Sequence, residues 1–236
     1  MATDVTAAHT PVHASSLALL RLLQLTSPAL PVGAYAYSHG LEWAVQAGWV
    51  RNAGDVETWI AGLQREAWSR LDVPVLARIY RALEAGQPEL AAQWRDRLCA
   101  ARESAELLAE DLQLGNALAR LAASFDVSDA DGWLGDGRCP FVLAFAAAAR
   151  HWGVSLYETA LGCLWTYCEH LTSAAVKLVP LGQTEGQRVL HNLAAHLPGC
   201  VAFGLALDDD EIGAALPGLA LASALHETQY SRLFRS

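Results

Sequence analysis

The side chains best equipped for chemistry in this chain of 236 residues are eight histidines, five cysteines and 25 carboxylates. His226-Glu-Thr-Gln-Tyr230 starts as a helical zinc-protease motif starts, but Tyr230 stands where a second histidine would have to share the metal face. Cys163 and Cys168 are five residues apart, as are His191 and His196, whereas two ligands on one helical face need a spacing of three or four. Cys168, Glu169 and His170 are adjacent, so a helix turns them in different directions. These patterns predict buried thiols and partner-satisfied histidines, with no metal site and no cofactor, and leave open only a site assembled between subunits.

Glu110 with Asp111, and the run Asp208 to Glu211, contain the paired carboxylates that general acid and base catalysis uses. Solvated helix faces and loop ends account for them more simply. The chain has no Walker-type phosphate loop, no GxGxxG after a strand and no GxSxG elbow. Lys177 is the single lysine, so a lysine-dependent mechanism could run only there. Eight tryptophans could line a ligand pocket, which is the route to a helical enzyme or small-molecule binder, but their helical spacing points to core or interface anchors. The expectation is a protein that is not an enzyme.

The formal net charge of −9 and pI near 5.3 exclude a nucleic-acid groove, which needs clustered Lys and Arg to displace counterions. A hydrophobic share of 53% against 17% charged residues predicts a full core with apolar surface left over, a hint of oligomerisation. The most apolar run, Phe141 to Ala149, is about half the roughly 20 residues that a bilayer span requires, and the N-terminus lacks a signal-peptide pattern. Five cysteines, an odd number, suit a reducing compartment better than a disulfide framework. No membrane association is expected, and the cytoplasm is the expected location.

The elements that would position these groups read as helices throughout. Residues 1–14 are polar and aperiodic and read as a flexible arm. Ser15 or Ser16 can cap a helix bearing Leu17, Leu20 and Leu23, which Pro28 ends. A loop follows, and Ser38 then offers an N-cap for a helix with Leu41, Trp43 and Val45 that Gly48 closes. Asp55 can cap the next, Pro74 opens another that stops at Gly86, and a further run follows Pro88. Leucines from Leu107 to Leu121 have the period of a long amphipathic helix within Ala101 to Ser124, before an Asp- and Gly-rich connection from Asp126 to Pro140. Ser155 with Glu158 forms a capping box opening a helix through Leu178, Thr184 with Gln187 reads as a second box, and the last helix begins near Pro217. With β-branched residues sparse and strict alternation absent, the fold class is all-α, a single compact multi-helix bundle over residues 15–229.

Two segments go beyond a generic helical protein. LLQLTSPALPVGAYAYSHGLEWAVQAGWV, from Leu22 to Val50, resembles the N-terminal signature of the UreF family of urease accessory proteins, and YSRLFRS, from Tyr230 to Ser236, is similar to that family's C-terminus. ESAELLAEDLQLG from Glu103 to Gly115 and KLVPLGQTEGQRVL from Lys177 to Leu190 fall between them in the expected order, so the resemblance covers nearly the whole chain. Tyr35, Ala36 and His39 depart from the Phe, Ser and Gln common in the family.

The resemblance implies an all-α, usually dimeric protein that binds the UreD or UreH accessory protein and, with it, the nickel-carrying GTPase UreG, docking on apo-urease as a non-catalytic adaptor and checkpoint for nickel insertion. The partner-binding candidates are Tyr35, Tyr37, Ser38, His39 and Glu42 in the first signature, Lys177, Gln183 and Arg188 in the middle, and His226, Tyr230, Arg232, Leu233, Phe234 and Arg235 at the end. In the 230–236 tail the apolar side chains would anchor and the arginines donate, either from a segment ordered only on binding or from one folded on its own bundle. Pro28, Pro31 and Gly33 would shape the first loop, which either presents the hydroxyls of Tyr35, Tyr37 and Ser38 or is purely structural. Lys177 either meets the negative end of a helix dipole or recognises a partner. A rival within the family is activation of the UreG GTPase by an inserted arginine, with Arg232, Arg235 and Arg188 as the candidates.

Overall fold

The computed structural model describes residues 13–127 and 137–236. The expected arm at 1–14 falls almost wholly outside the described residues, as does most of the expected loop at 126–140. The rest is all-α, with no strand among the described residues. In chain order the helices are α1 (His13–Leu25), α2 (Leu41–Gln46), α3 (Ala53–Leu63), α4 (Val73–Glu84), α5 (Pro88–Ala100), α6 (Ala105–Ala123), α7 (Phe141–His151), α8 (Leu156–Leu178), α9 (Gln183–Ala194), α10 (Leu197–Ala206) and α11 (Pro217–His226). A 3-10 turn at Ala34–Ala36 and a π-helix at Gln64–Asp72 complete them.

The core is built around α7. Phe141 through Ala149 are all buried, as an all-apolar helix must be, and α1, α4, α6 and α8 pack around it. Its alanines leave room for close neighbours. Gly115 of α6 makes the tightest approach, because a methyl group there would fall 2.5 Å from the Phe141 amide nitrogen and closer still to the Cys139 carbonyl. The central helix α8 carries the expected capping box, with Ser155 Oγ accepting from the Glu158 amide at 3.3 Å and the Glu158 carboxylate accepting from the Ser155 amide at 3.3 Å.

Several local expectations change. α1 begins at His13, so Ser15 and Ser16 lie within the helix and neither is its N-cap. Asn52, not Asp55, caps α3, accepting from the Asp55 amide at 3.0 Å, while the Asp55 carboxylate accepts from the Arg51 amide at 2.9 Å. Gly182 rather than Thr184 stands at the N-cap of α9, without a side-chain cap. Pro74 does not open a separate helix, because the chain runs continuously helical from Ala53 to Glu84 through the π-helix. A proline in a helix leaves a carbonyl one turn back without its donor. Here that carbonyl belongs to Arg70, and the Gly213 amide supplies the missing hydrogen bond at 3.1 Å. A distant loop thus completes the helix.

Gln183–Ala206 is long and apolar enough to cross a membrane by length and composition. It is nevertheless two helices, broken between Ala194 and Leu197, and they pack on α3, α8, α4 and the π-helix.

Candidate functional site

The two signature segments, far apart in sequence, form one hydrogen-bonded assembly. His39 and Gly40 both take left-handed backbone, with φ of +52° and +75°, which turns the chain sharply into α2. Glycine accepts that conformation freely, and histidine is among the few others found there. Ser38, just before the turn, donates its backbone amide to the Ser236 carbonyl at 2.8 Å. The Ser38 hydroxyl donates to the same carbonyl and accepts from the Glu42 amide at 3.2 Å. Gly40, not the expected Ser38, is the N-cap of α2 and makes no side-chain cap; Ser38 instead holds the Glu42 amide from two residues further back, together with the final residue.

Glu42, on the first turn of α2, is 7% exposed. Its carboxylate accepts from the backbone amides of Leu233 at 2.7 Å and Phe234 at 2.8 Å. His226 at the end of α11 is wholly buried, with Nε2 3.2 Å from Glu42 and Nδ1 2.8 Å from Glu106 of α6. Glu106 in turn accepts from Arg232 at 2.9 Å. A carboxylate buried on both sides of an imidazole and met by two amides satisfies the rule that buried charge must be hydrogen-bonded. The partial zinc-protease pattern at His226 resolves into this network, and among the described residues no cluster of His, Cys, Asp and Glu has the arrangement of a metal site.

A second branch runs through Glu110. It accepts from the Ser236 hydroxyl at 2.6 Å and lies 3.3 Å from His39 Nδ1. Burial pushes its carboxyl up, but His39, His170 and Ser236 outweigh that and hold it below the ordinary value. His170 of α8 is 3.1 Å from the Tyr37 carbonyl, and burial holds its imidazole below the ordinary value despite the pull of Glu110. The Arg235 amide donates to the Ala36 carbonyl at 2.8 Å, and Lys177 Nζ sits 5.6 Å from the centre of the Phe234 ring, within cation–π range.

Beneath these groups lies a buried triad. Arg102 bridges Asp72, at the end of the π-helix, at 2.7 Å and Asp111 of α6 at 2.8 Å. Asp111 also accepts from the Phe141 amide at 2.8 Å, and Tyr167 donates to Asp72 at 3.3 Å. Burial raises the Asp111 carboxyl above its ordinary value, against the pull of Arg102. Burial lowers the Arg102 guanidinium, but Asp111 and Asp72 overcome it and the net shift is upward. A cavity of about 40 Å³ separates the triad from Glu110, His39 and His170, with Trp68 and Tyr167 in its wall. That is roughly a tenth of the ~300 Å³ at which small-molecule pockets begin. It has room for water and no more.

The tail is thus folded on its own bundle, one of the two alternatives expected for it. Phe234, one of the expected apolar anchors, is buried against that bundle. Tyr37, Ser38, Glu42 and His226 are buried too, so in the isolated chain they lie beneath the surface and support it from below. The hydroxyls of Tyr37 and Ser38 point inward, to Gln113 and Ser236. What the assembly leaves outside is Tyr35 at 76% exposure, Leu233 at 66% and a fully exposed Tyr230, with Arg235 exposed beside them in sequence. Lys177 sits in the last turn of α8, where the dipole favours a cation, and also faces Phe234. Gln183 and Arg188 are exposed on α9 and take no part in the network. Glu106, Glu110, His170 and Ser236 were not foreseen as site residues, because each belongs to it only through partners distant in sequence. The one available signal was their place within or beside the signature stretches.

All five cysteines are buried and none is in a disulfide. Burial pushes Cys168 up to about 12 and raises Cys163, Cys99 and Cys200 as well, which leaves them protonated and unreactive at neutral pH.

Residues 50–194 match the family model described as UreF. Over 220 residues the chain is 48% identical to the urease accessory protein UreF of Alkalilimnicola ehrlichii, covering 93% of this chain and 96% of that one. It is 47% identical to the protein of the same name from Chromohalobacter salexigens over the full length of both. The same name and 47% identity apply to a Pseudomonas putida protein over 222 residues, covering 94% of this chain and 99% of the relative. The family model ends before the C-terminal network, but the full-length alignment spans it.

Proposed function

The chain belongs to the UreF family of urease accessory proteins, and on that premise we propose that it is a non-catalytic adaptor and checkpoint for nickel insertion, acting in the cytoplasm as a homodimer. It links a UreD- or UreH-type partner and the UreG GTPase to apo-urease. The observation that carries this reading is the assembly of the two chain ends. Buried groups from residues 38–42 and 226–236 hold a fixed platform, and the side chains it leaves outside, Tyr35, Tyr230 and Leu233, are large and apolar or aromatic. Aromatic and apolar anchors on a pre-formed surface are what a protein interface uses, since little ordering entropy remains to be lost on binding.

Activation of the partner's GTPase is the second reading, and one observation favours keeping it. Arg235 is exposed and has no carboxylate partner among the described residues, whereas Arg232 is tied to Glu106. An arginine finger needs a free guanidinium, so Arg235 is the better candidate of the two.

Light scattering on size-exclusion runs tests the adaptor reading, with the protein alone and with a UreD-type partner, and with residues 230–236 present or deleted. A dimer that enters a larger complex only with the tail intact supports it. Full-length protein that stays unassociated at micromolar concentration overturns it.

A further inference from the structure

On the outer faces of α4 and α5, remote in sequence from the network above, lies an open cleft of about 710 Å³. Its wall holds Arg78, Arg81 and Arg97, three of the 15 arginines of an acidic chain, with Asp209 as its single carboxylate. We propose that this cleft is a binding site for a small polyanion, a ligand carrying two or more phosphate or carboxylate groups.

Two of the three guanidinium groups are fixed in advance. Arg97 lies 5.0 Å and Arg78 6.0 Å from the centre of the Trp94 ring, and Trp94 itself is buried. Arg97 donates to the Ile212 carbonyl at 2.9 Å. Arg78 donates to the Leu207 carbonyl and, through Nε, to Asp209 at 2.9 Å. Holding a long side chain in place this way removes much of the rotamer entropy that anion capture would otherwise cost. The anchors also leave donors over: Arg97 is exposed and its hydrogen bond to Ile212 uses one nitrogen, and Arg81, three residues after Arg78 on the same helix, is exposed with no ion-pair partner among the described residues, while Arg78 Nη1 is buried without a hydrogen-bond partner.

The balance of three guanidinium groups against one carboxylate leaves a local excess of positive charge on a chain whose formal net charge is −9. Guanidinium forks match phosphate and carboxylate oxygens in pairs, and several lining one cleft can meet more than one anionic group of the same ligand. The cleft's volume lies within the range of small-ligand pockets, about 300–1,000 Å³. Ala82, Ala85 and Leu90 supply an apolar floor. Trp94 is buried and within cation–π range of Arg78 and Arg97, which it anchors, so recognition rests on the anion and not on stacking.

Isothermal titration of the full chain at low ionic strength with inorganic pyrophosphate, and separately with citrate, tests the site. Saturable binding of either probe is expected, weakened by added salt, and about tenfold weaker in Arg81→Gln, the loss of one charge-assisted pair. Arg81 has no ion-pair partner among the described residues, so that variant should melt as the wild type does. Arg120→Gln, in a different cleft, should leave binding unchanged. Binding of pyrophosphate alone assigns the site to phosphates and of citrate alone to carboxylates. Absence of saturable binding of both probes, or binding that Arg81→Gln leaves intact, overturns the proposal.

Discussion

Glu42 and His226 are 184 residues apart in the chain, yet Glu42 Oε2 lies 3.2 Å from His226 Nε2 inside the protein. The same carboxylate holds the Leu233 and Phe234 amides, so one side chain joins α2, α11 and the tail. A neutral amide in its place keeps the shape but has one acceptor oxygen where the carboxylate has two. Glu42→Gln should therefore cost about 1–3 kcal/mol and release the tail locally. Hydrogen exchange at the Leu233 and Phe234 amides is the direct measure, and unchanged protection there would mean that Ser38 and Phe234 hold the tail by themselves.

Arg102 is the cation between two buried aspartates, so its removal strands both charges. Arg102→Met should destabilise by about 3–5 kcal/mol in urea titrations, because uncompensated buried charge costs more than the methionine stem recovers. Restoring balance with Asp72→Asn in the same chain should recover part of the loss. If the single variant loses under about 1 kcal/mol, the triad is better hydrated than its burial implies.

His170 gives the stability a pH dependence of definite sign. Burial holds its folded value below the ordinary 6.5, so the folded state takes up fewer protons than the unfolded state over the interval between the two values. Its contribution is complete above pH 6.5 and is lost as pH falls through the lowered folded value. Glu110, also lowered from 4.5, acts in the same direction at more acid pH. Asp111, raised from 3.8, acts oppositely, favouring the folded state at acid pH and losing that contribution as pH rises through its folded value. His170→Asn should flatten the stability profile just below pH 6.5, and an identical slope in that variant would assign the titration elsewhere.

Gly115 and Gly62 are both helical glycines, and alanine should have opposite effects at the two. At Gly115 a methyl group runs into the 139–141 backbone, which cannot yield as a flexible side chain can, so Gly115→Ala should cost about 1–3 kcal/mol or more. At Gly62 it meets nothing within 4 Å, so Gly62→Ala should stabilise by roughly 0.5–1 kcal/mol through helix propensity. Thermal melts of both variants check the pair, and equal shifts would mean that packing at Gly115 is looser than the backbone positions indicate.

What could be read from the sequence was whatever a few neighbouring residues decide. The Ser155 and Glu158 box, the stop at Pro28, the left-handed Gly48 and Gly86, and the start at Pro217 are all where local capping and backbone sterics put them. The all-α class followed from the same short-range periodicity, and the two signature stretches identified the family. The local signals failed where a neighbour could be outvoted. Pro74 reads as a helix start until Gly213 donates to Arg70, and Asp55 reads as a cap until Asn52 takes that place.

The site lay on the other side of that divide. Glu42, Glu106, Glu110 and His226 are individually ordinary helical residues, and only the packing of α2, α6 and α11 brings their charges together in a low-dielectric interior. Composition and local order on their own determined an acidic helical protein with UreF-like ends. Which side chains those ends bury and which they leave on the surface was decided by tertiary structure, because a buried charge is stable only beside the distant partner that satisfies it.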